Sequence, residues 1–430
     1  MKWMNLLIKS YINNSHLKQY YNIFYNKMRR NLIRNVYDLK HTNRFISTFR
    51  NEIQKSDYER STQGIHPNIL NFEQVTTLCN ELINPNIDDH DFLIHQFKNR
   101  ILPGVDSTSK LKANFLFDIC DKKIDTPLIN SNEAVNILGT MQGGYSIEAL
   151  VKLLDNDLLA ENALNQLSNN ILIFDYYYDV INKYEKGNPF AKLLLESWAN
   201  ADWFTQKKSL DEKITLNVFK VDGEINTDDL SPAQNAWSRP DIPLHALSML
   251  KTPREGLTPD IPFEIGPMQK IKELKQNGYP IAFVGDVVGT GSSRKSATNS
   301  ILWHIGNDIP FVPNKRTGGV CIGGKIAPIF LNTMEDSGAL PIEMSVDKIK
   351  MGDIIDIYPY QGITKKHGTN NIISSWRLNT PSLLDSVKAG GRINLIIGKG
   401  LTQRAQNTLN ITNKNFFIET TPDFTPVNGY

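Results

Sequence analysis

Residues 280–305 read Pro-Ile-Ala-Phe-Val-Gly-Asp-Val-Val-Gly-Thr-Gly-Ser-Ser-Arg-Lys-Ser-Ala-Thr-Asn-Ser-Ile-Leu-Trp-His-Ile. The order is that of a strand running into glycines and then opening a helix. Pro280 to Val284 is a short apolar run suited to a buried strand, and Ser292 to Ile305 follows as a helix. Such a turn exposes unpaired backbone N–H groups at the positive end of the helix dipole, which suits an anion. Ser292 and Ser293 add hydroxyls, and Arg294 adds a planar fork that can hold a carboxylate through two hydrogen bonds. Two other readings of residues 285–294 stand beside this one. Glycine can simply make the turn while serine caps the helix. A nucleotide loop fits badly, because the Gly-Lys-Ser/Thr ending of a P-loop is missing and Arg294 occupies the third glycine position of a dinucleotide fingerprint.

Working outward, Ile214 to Val221 is β-branched and alternating, as a half-buried strand is, and further strands are expected at Ile354 to Tyr358 and Asn394 to Ile397. Residues 209–410 are therefore expected to form an α/β sheet domain. Upstream, Phe72 to Trp203 carries apolar residues at three- and four-residue spacing, broken at Pro85, Pro103-Gly104 and Gly143-Gly144. Short helices in series suggest an all-α helical-repeat stack over 49–208, although no exact repeat period is visible. Residues 411–430 show no periodicity and are expected to be an unstructured tail.

The 430 residues, 40% of them apolar, allow a buried core in each of two to four domains. No apolar run approaches the roughly 20 residues of a membrane span. Residues 1–50 hold ten Lys/Arg against the single acid Asp38, a net of +9 in a chain of formal charge +2, which leaves −7 for the rest. The basic extension 1–48 has the character of a mitochondrial transit peptide, or else of a mis-assigned start or a basic tail. Cys79, Cys120 and Cys321 are scattered, with no Cys-x-x-Cys pair, so neither a disulfide framework nor a self-contained zinc or iron–sulfur site is expected.

A second cluster, Asn226-Thr-Asp-Asp-Leu-Ser-Pro-Ala233 followed by Ala236-Trp-Ser-Arg-Pro-Asp241, reads locally as a helix cap or Asx turn beside a lone arginine. The two clusters in this order, about 50 residues apart, resemble the swivel domain of the aconitase superfamily, and the likeness extends to the B-type aconitate hydratases. It is carried further by Leu138 to Tyr145, Phe219-Lys-Val221, Trp237 to Leu247, Val284 to Ser300, Val312 to Arg316, Gly323 to Phe330 and Gly390-Gly-Arg392, and spans about residues 49 to 410. It implies a HEAT-like helical domain at 49–208 and a swivel domain at 209–410.

The resemblance also implies an activity, the reversible dehydration and hydration of citrate through cis-aconitate to isocitrate in the tricarboxylic acid cycle. Dehydration of 2-methylisocitrate is implied as a second reaction of the family. By the same likeness Ser292 matches the catalytic serine base, and Ser293, Arg294 and Arg239 match contacts to substrate carboxylates. Asp228 matches a supporting acid. The family's four-iron four-sulfur cluster is held by cysteines in domains that follow the swivel, and those ligands are not in this chain. The chain is thus expected to need a separate cluster-bearing chain for activity, with a homodimer through the helical domain and a cytoplasmic location implied as well. The alternatives are a mitochondrial matrix location if 1–48 is a transit peptide, a truncated non-catalytic product, and an RNA-binding regulator. For RNA, the −7 over residues 51–430 supplies no broad electrostatic footprint.

Overall fold

The computed structural model describes residues 42–378, 380–411 and 414–418. The basic extension expected over 1–48 lies outside the described residues as far as position 41. The first described helix, α1, spans Thr42–Thr62. No described helix is long and apolar enough to cross a membrane.

The helical region follows from its caps as much as from its apolar spacing. Asn71 and Gln74 form a reciprocal capping box at α2 (Phe72–Ile83), and α3 (His90–Asn99) follows. Asp106 caps α4 (Ser107–Cys120), and Asn130 caps α5 (Ser131–Gly139). Then come α6 (Tyr145–Leu153), α7 (Ala160–Ser168) and α8 (Tyr176–Glu185). Asn188 caps α9 (Pro189–Ala199), whose proline sits where no N–H is needed, and α10 (Asp202–Thr205) ends the series. At the expected Gly143-Gly144 break, a Cβ on Gly144 would lie 2.3 Å from the Gly104 carbonyl, so glycine lets two loops meet.

Helices α4, α6 and α8 pack in one row and α5, α7 and α9 in another, with cross-pairs α4–α5, α6–α7 and α8–α9. The stack therefore repeats in space although the sequence shows no period. Polar rungs tie successive members: Asn162 donates to the Asn132 carbonyl (3.2 Å) and Gln166 to Asn136 Oδ1 (3.2 Å), both across 30 residues.

The second region is a mixed seven-stranded sheet of order β6-β5-β2-β1-β7-β8-β9. Its parallel part is β1 (Ile214–Asn226), β2 (Ile281–Thr290), β5 (Val320–Ile326) and β6 (Leu340–Glu343). The antiparallel part is β7 (Ile354–Tyr358), β8 (Ile363–Lys366) and β9 (Ile372–Ser375). A separate ribbon pairs β3 (Asn307–Asp308) with β4 (Arg316–Thr317). Alternation decides the faces. Phe219, Val221, Ile281, Phe283 and Cys321 share one core, and Leu216, Val218, Ala282, Val284 and Ile322 share the other.

The short helices α11 (Thr227–Leu230) and α12 (Ile242–Ala246) follow β1, and α13 (Met268–Lys275) precedes β2. Helix α14 (Arg294–Ile305) follows β2, α15 (Pro328–Asp336) follows β5, and α16 (Leu383–Ala389) leads to α17 (Arg392–Thr408).

Three expectations are corrected. Asn394 to Ile397 is not a strand but part of α17. The buried positions Leu395, Gly398, Leu401, Thr402, Ala405 and Gln406 recur at helical spacing, while the exposed Ile396 beside Leu395 and Ile397 gave the short window its strand-like apolar run. Strand β2 runs on to Thr290, so Gly285 lies inside it. There a Cβ would meet Ile225 Cδ1 at 2.4 Å. Residues 414–418 of the expected unstructured tail pack: the Phe417 ring lies 5.9 Å from Trp203 and 5.0 Å from Phe204, and the Ile418 N–H donates to Asp385 Oδ2 (2.7 Å).

Helix α17 joins the two regions. It packs on α9, Gln406 donates to the Ala199 carbonyl (2.9 Å), and Trp203 Nε1 donates to Thr402 (3.0 Å).

Candidate functional site

Strands β1 and β2 are parallel neighbours, so their C-terminal turns emerge side by side, with Asn226 opposite Thr290. Two glycines let the β2 turn pack closely on its neighbours, Phe330 of α15 and Thr227 directly after β1. Gly289 (φ +83°) would place a Cβ 2.1 Å from the Phe330 ring, and Gly291 (φ +102°) would place one 2.6 Å from Thr227 Oγ1. The approach is then fastened, because the Ser293 N–H donates to Thr227 Oγ1 (3.1 Å).

Helix α14 begins at Arg294, so both serines precede it, which shortens the expected helix by two residues. Ser293 holds the N-cap position but its side chain makes no capping bond. Instead its hydroxyl accepts from Arg239 Nη2 at 3.1 Å. This outcome sets aside the bland reading in which serine merely caps the helix. Ser292 is exposed on the turn and Arg294 is partly exposed. Among the described residues Arg294 meets no carboxylate within ion-pair distance.

Arg239 closes the 3₁₀ turn Ala233–Ser238. Its Nη2 also donates to the Ser231 carbonyl (3.4 Å), while its Nε is buried without a hydrogen-bond partner. Burying such an unpaired donor costs about 1–3 kcal/mol, more for a charged group. Among the described residues no carboxylate faces this guanidinium. Two residues on, Asp241 accepts two bonds from Arg60 (2.7 and 3.0 Å) and one from the Leu244 N–H, starting α12.

Of the five residues singled out in the sequence, Ser292, Ser293, Arg294 and Arg239 come to one turn. Asp228 does not share its contacts. It is exposed in α11, and the anchored acid is its neighbour Asp229, which accepts from the Asn226 N–H (2.9 Å) and pairs with Arg254 (3.1 Å).

Sequence reasoning missed the hydroxyls beneath the turn. His245 lies between Ser231 Oγ (2.8 Å from Nε2) and Ser238 Oγ (2.8 Å from Nδ1), and Ser231 donates to Ser296 (2.8 Å). Burial, with the Arg239 charge second, pushes the His245 pKa down, so the ring is neutral at pH 7. Burial likewise pushes His304 down to about 4, and its Nε2 faces the Ala246 carbonyl at 3.3 Å.

The cysteines do not form a cluster cradle. Cys79 and Cys120 lie in the helical core and Cys321 in the sheet core, and burial pushes all three thiols up to about 12. Among the described residues no group of three His, Cys, Asp or Glu could hold a metal ion. A cleft of about 560 Å³ in the helical region is lined by Lys152, Asp155, Tyr176 and Lys183 among others. Lys152 there pairs with Glu148 (2.6 Å) and Lys183 with Asp155, so these cations carry no charge to spare.

Comparison with known proteins supplies the lineage. The family described as "Aconitate hydratase 2 N-terminus" matches residues 216–430, and "Aconitate B N-terminal domain" matches residues 52–204. The chain belongs to the aconitate hydratase B family. Aconitate hydratase B of Escherichia coli K12 is 52% identical over 366 residues, 85% of this chain and 42% of that protein. The Pseudomonas aeruginosa relative is 53% identical over 84% of this chain and 41% of its own length. The Helicobacter pylori relative is 46% identical over 90% and 44%. The chain thus spans about two fifths of the length of these aconitate hydratases.

Proposed function

We propose that this chain supplies the substrate-carboxylate site and the serine base of an aconitate hydratase, with 49–208 as its HEAT-like domain and 209–410 as its swivel domain. One observation carries the reading. The Arg239 guanidinium, with no carboxylate partner among the described residues, converges on Ser293 beside the exposed Ser292 and the partly exposed Arg294. A citrate-type tricarboxylate brings the missing negative charge. Arg239 and Arg294 hold different carboxylates, and Ser293 orients one of them.

Ser292 then takes the proton from the carbon beside a carboxylate. A serine hydroxyl is a poor base, so its alkoxide must be stabilised, and the α14 N–H groups together with two guanidiniums supply positive potential at that spot. Asp228 supports the site from the adjoining turn. The family's iron–sulfur cluster does not fit the residues of this chain, whose three thiols are buried in two separate cores. Its ligands belong to a cluster-bearing segment, which is the partner expected for turnover. A homodimer through the helical stack is part of the same reading, whereas an RNA-binding role gains no support from relatives all named as aconitate hydratases.

The test is citrate binding to the 430-residue chain by calorimetry, comparing the parent with Arg239→Lys and Arg294→Lys. Each should lose roughly 10- to 150-fold in affinity, or about 1.5–3 kcal/mol, because an ammonium cannot reproduce the planar fork. Two variants that bind like the parent would return the turn to a purely structural role.

A further inference from the structure

We propose that His245 is a positioning residue of this site: through Nε2, Ser231 and Ser296 it fixes the 291–296 turn that presents Ser292, Ser293 and Arg294. The inference rests on reading that turn as a carboxylate site.

The contacts form a directed chain. His245 is 2% exposed, with Ser231 Oγ 2.8 Å from Nε2. Ser231 donates to Ser296 Oγ (2.8 Å), and Ser296 donates to the Ser293 carbonyl (3.1 Å). That carbonyl also accepts the Ala297 N–H (3.1 Å), one of the opening bonds of α14. A hydroxyl has one proton to give. Ser231 donates to Ser296 and Ser238 to the Asn235 carbonyl (2.8 Å), so the single proton of a neutral ring serves one of these hydroxyls and the other hydroxyl turns its own proton to the ring.

The same imidazole holds both ends of the segment that carries Arg239. Ser238 immediately precedes the arginine, and the Ser231 carbonyl accepts from it (3.4 Å). His245 thus ties the Arg239 segment to the head of α14, and Arg239 meets Ser293 where the two join. The neutral state that burial and Arg239 favour suits this role, since it leaves one nitrogen as donor and the other as acceptor.

The two ring nitrogens can be replaced one at a time. His245→Gln can carry an amide N–H toward Ser231, whereas the shorter side chain of His245→Asn reaches only the Ser238 side. Both variants and the parent are compared in the 430-residue chain by citrate calorimetry, by hydrogen exchange of the 290–297 amides, and by melting. His245→Asn is expected to bind citrate at least ~10-fold more weakly, a loss of about 1.4 kcal/mol, with faster exchange confined to 290–297. His245→Gln should stay within about threefold of the parent. Nitrogen-15 shifts of the parent ring should report a neutral imidazole with one protonated nitrogen. Parent-like binding and exchange in His245→Asn would overturn the proposal. So would equal losses in both variants with exchange raised across the whole sheet, which is the pattern of a space-filling role. Should the parent itself not bind citrate, the carboxylate reading fails, and the exchange data still decide whether His245 orders the turn.

Discussion

Three cations, two buried and one partly buried, meet different fates in the two halves of the molecule. In the helical half, Arg100 is 7% exposed and well satisfied: Asp57 accepts two bonds (2.9 and 3.1 Å), and the Asn68 carbonyl (2.6 Å) and Gln96 (3.0 Å) accept one each. Lys112, 3% exposed, meets among the described residues only the Lys98 carbonyl at 3.4 Å and the face of Phe97, and burial pulls its pKa down to about 7. A lysine can shed its charge in this way. Arg239, in the sheet half, is not satisfied as Arg100 is. It lacks a carboxylate among the described residues and leaves Nε unpaired. The contrast separates cations that serve the fold from one held ready for an anion.

The largest effect should appear at turnover. In a mixture with the cluster-bearing segment of a relative, Ser292→Ala should lower kcat by roughly 10²–10⁴-fold while citrate affinity moves far less, as expected of a group acting in the transition state. Steady-state kinetics of the mixture checks this, and near-full turnover would remove Ser292 as the base.

On the structural side of the contrast, Arg100→Met strands Asp57, which is 26% exposed, and should cost about 3 kcal/mol of unfolding free energy. Denaturant titration measures the loss, and citrate affinity should not change. If binding fell with stability, the two halves would not be separable in this way.

Lys112 gives a smaller, pH-dependent effect whose sign is fixed by linkage. Its folded pKa of about 7 lies below the ordinary lysine value of 10.5, so the unfolded chain binds more protons between those limits. Stability should therefore rise from pH 7 toward pH 10, by about 2–4 kcal/mol. Lys112→Met should be more stable at pH 7 and lose this rise. A parent whose stability is flat over that range would mean the lysine keeps its proton.

Much of the sheet half was legible because its decisive elements are local. Glycines that only a turn needs stand next to serines and an arginine within ten residues, and β1 alternates visibly. What escaped depends on distance. His245 reads as a lone histidine in an apolar stretch, since its partners Ser231, Ser238 and, through Ser231, Ser296 are brought to it by α12 and α14. The helical stack repeats through Asn and Gln rungs 30 residues apart, residue types that carry no periodic apolar signal. Helix α17 was misread at Asn394 to Ile397 because four residues cannot tell a strand from a helix whose buried positions extend to Gln406. The packing of Phe417 against Trp203 joins residues more than two hundred positions apart, which no local window sees. At the site, Asp228 and Asp229 were indistinguishable as neighbours, and only the fold shows that Asp229 is anchored.

Arg239 is proposed to be held for a ligand and not for the fold, and one paired measurement tests this directly: citrate titration and thermal melting of the parent chain and of Arg239→Met. The parent is expected to bind citrate, and Arg239→Met to lose at least ~10-fold in affinity with a melting temperature equal to the parent's or higher, because a buried unpaired N–H has been removed. A melting temperature lowered as Arg100→Met lowers it, with citrate affinity unchanged, would make Arg239 one more structural cation and overturn the proposal.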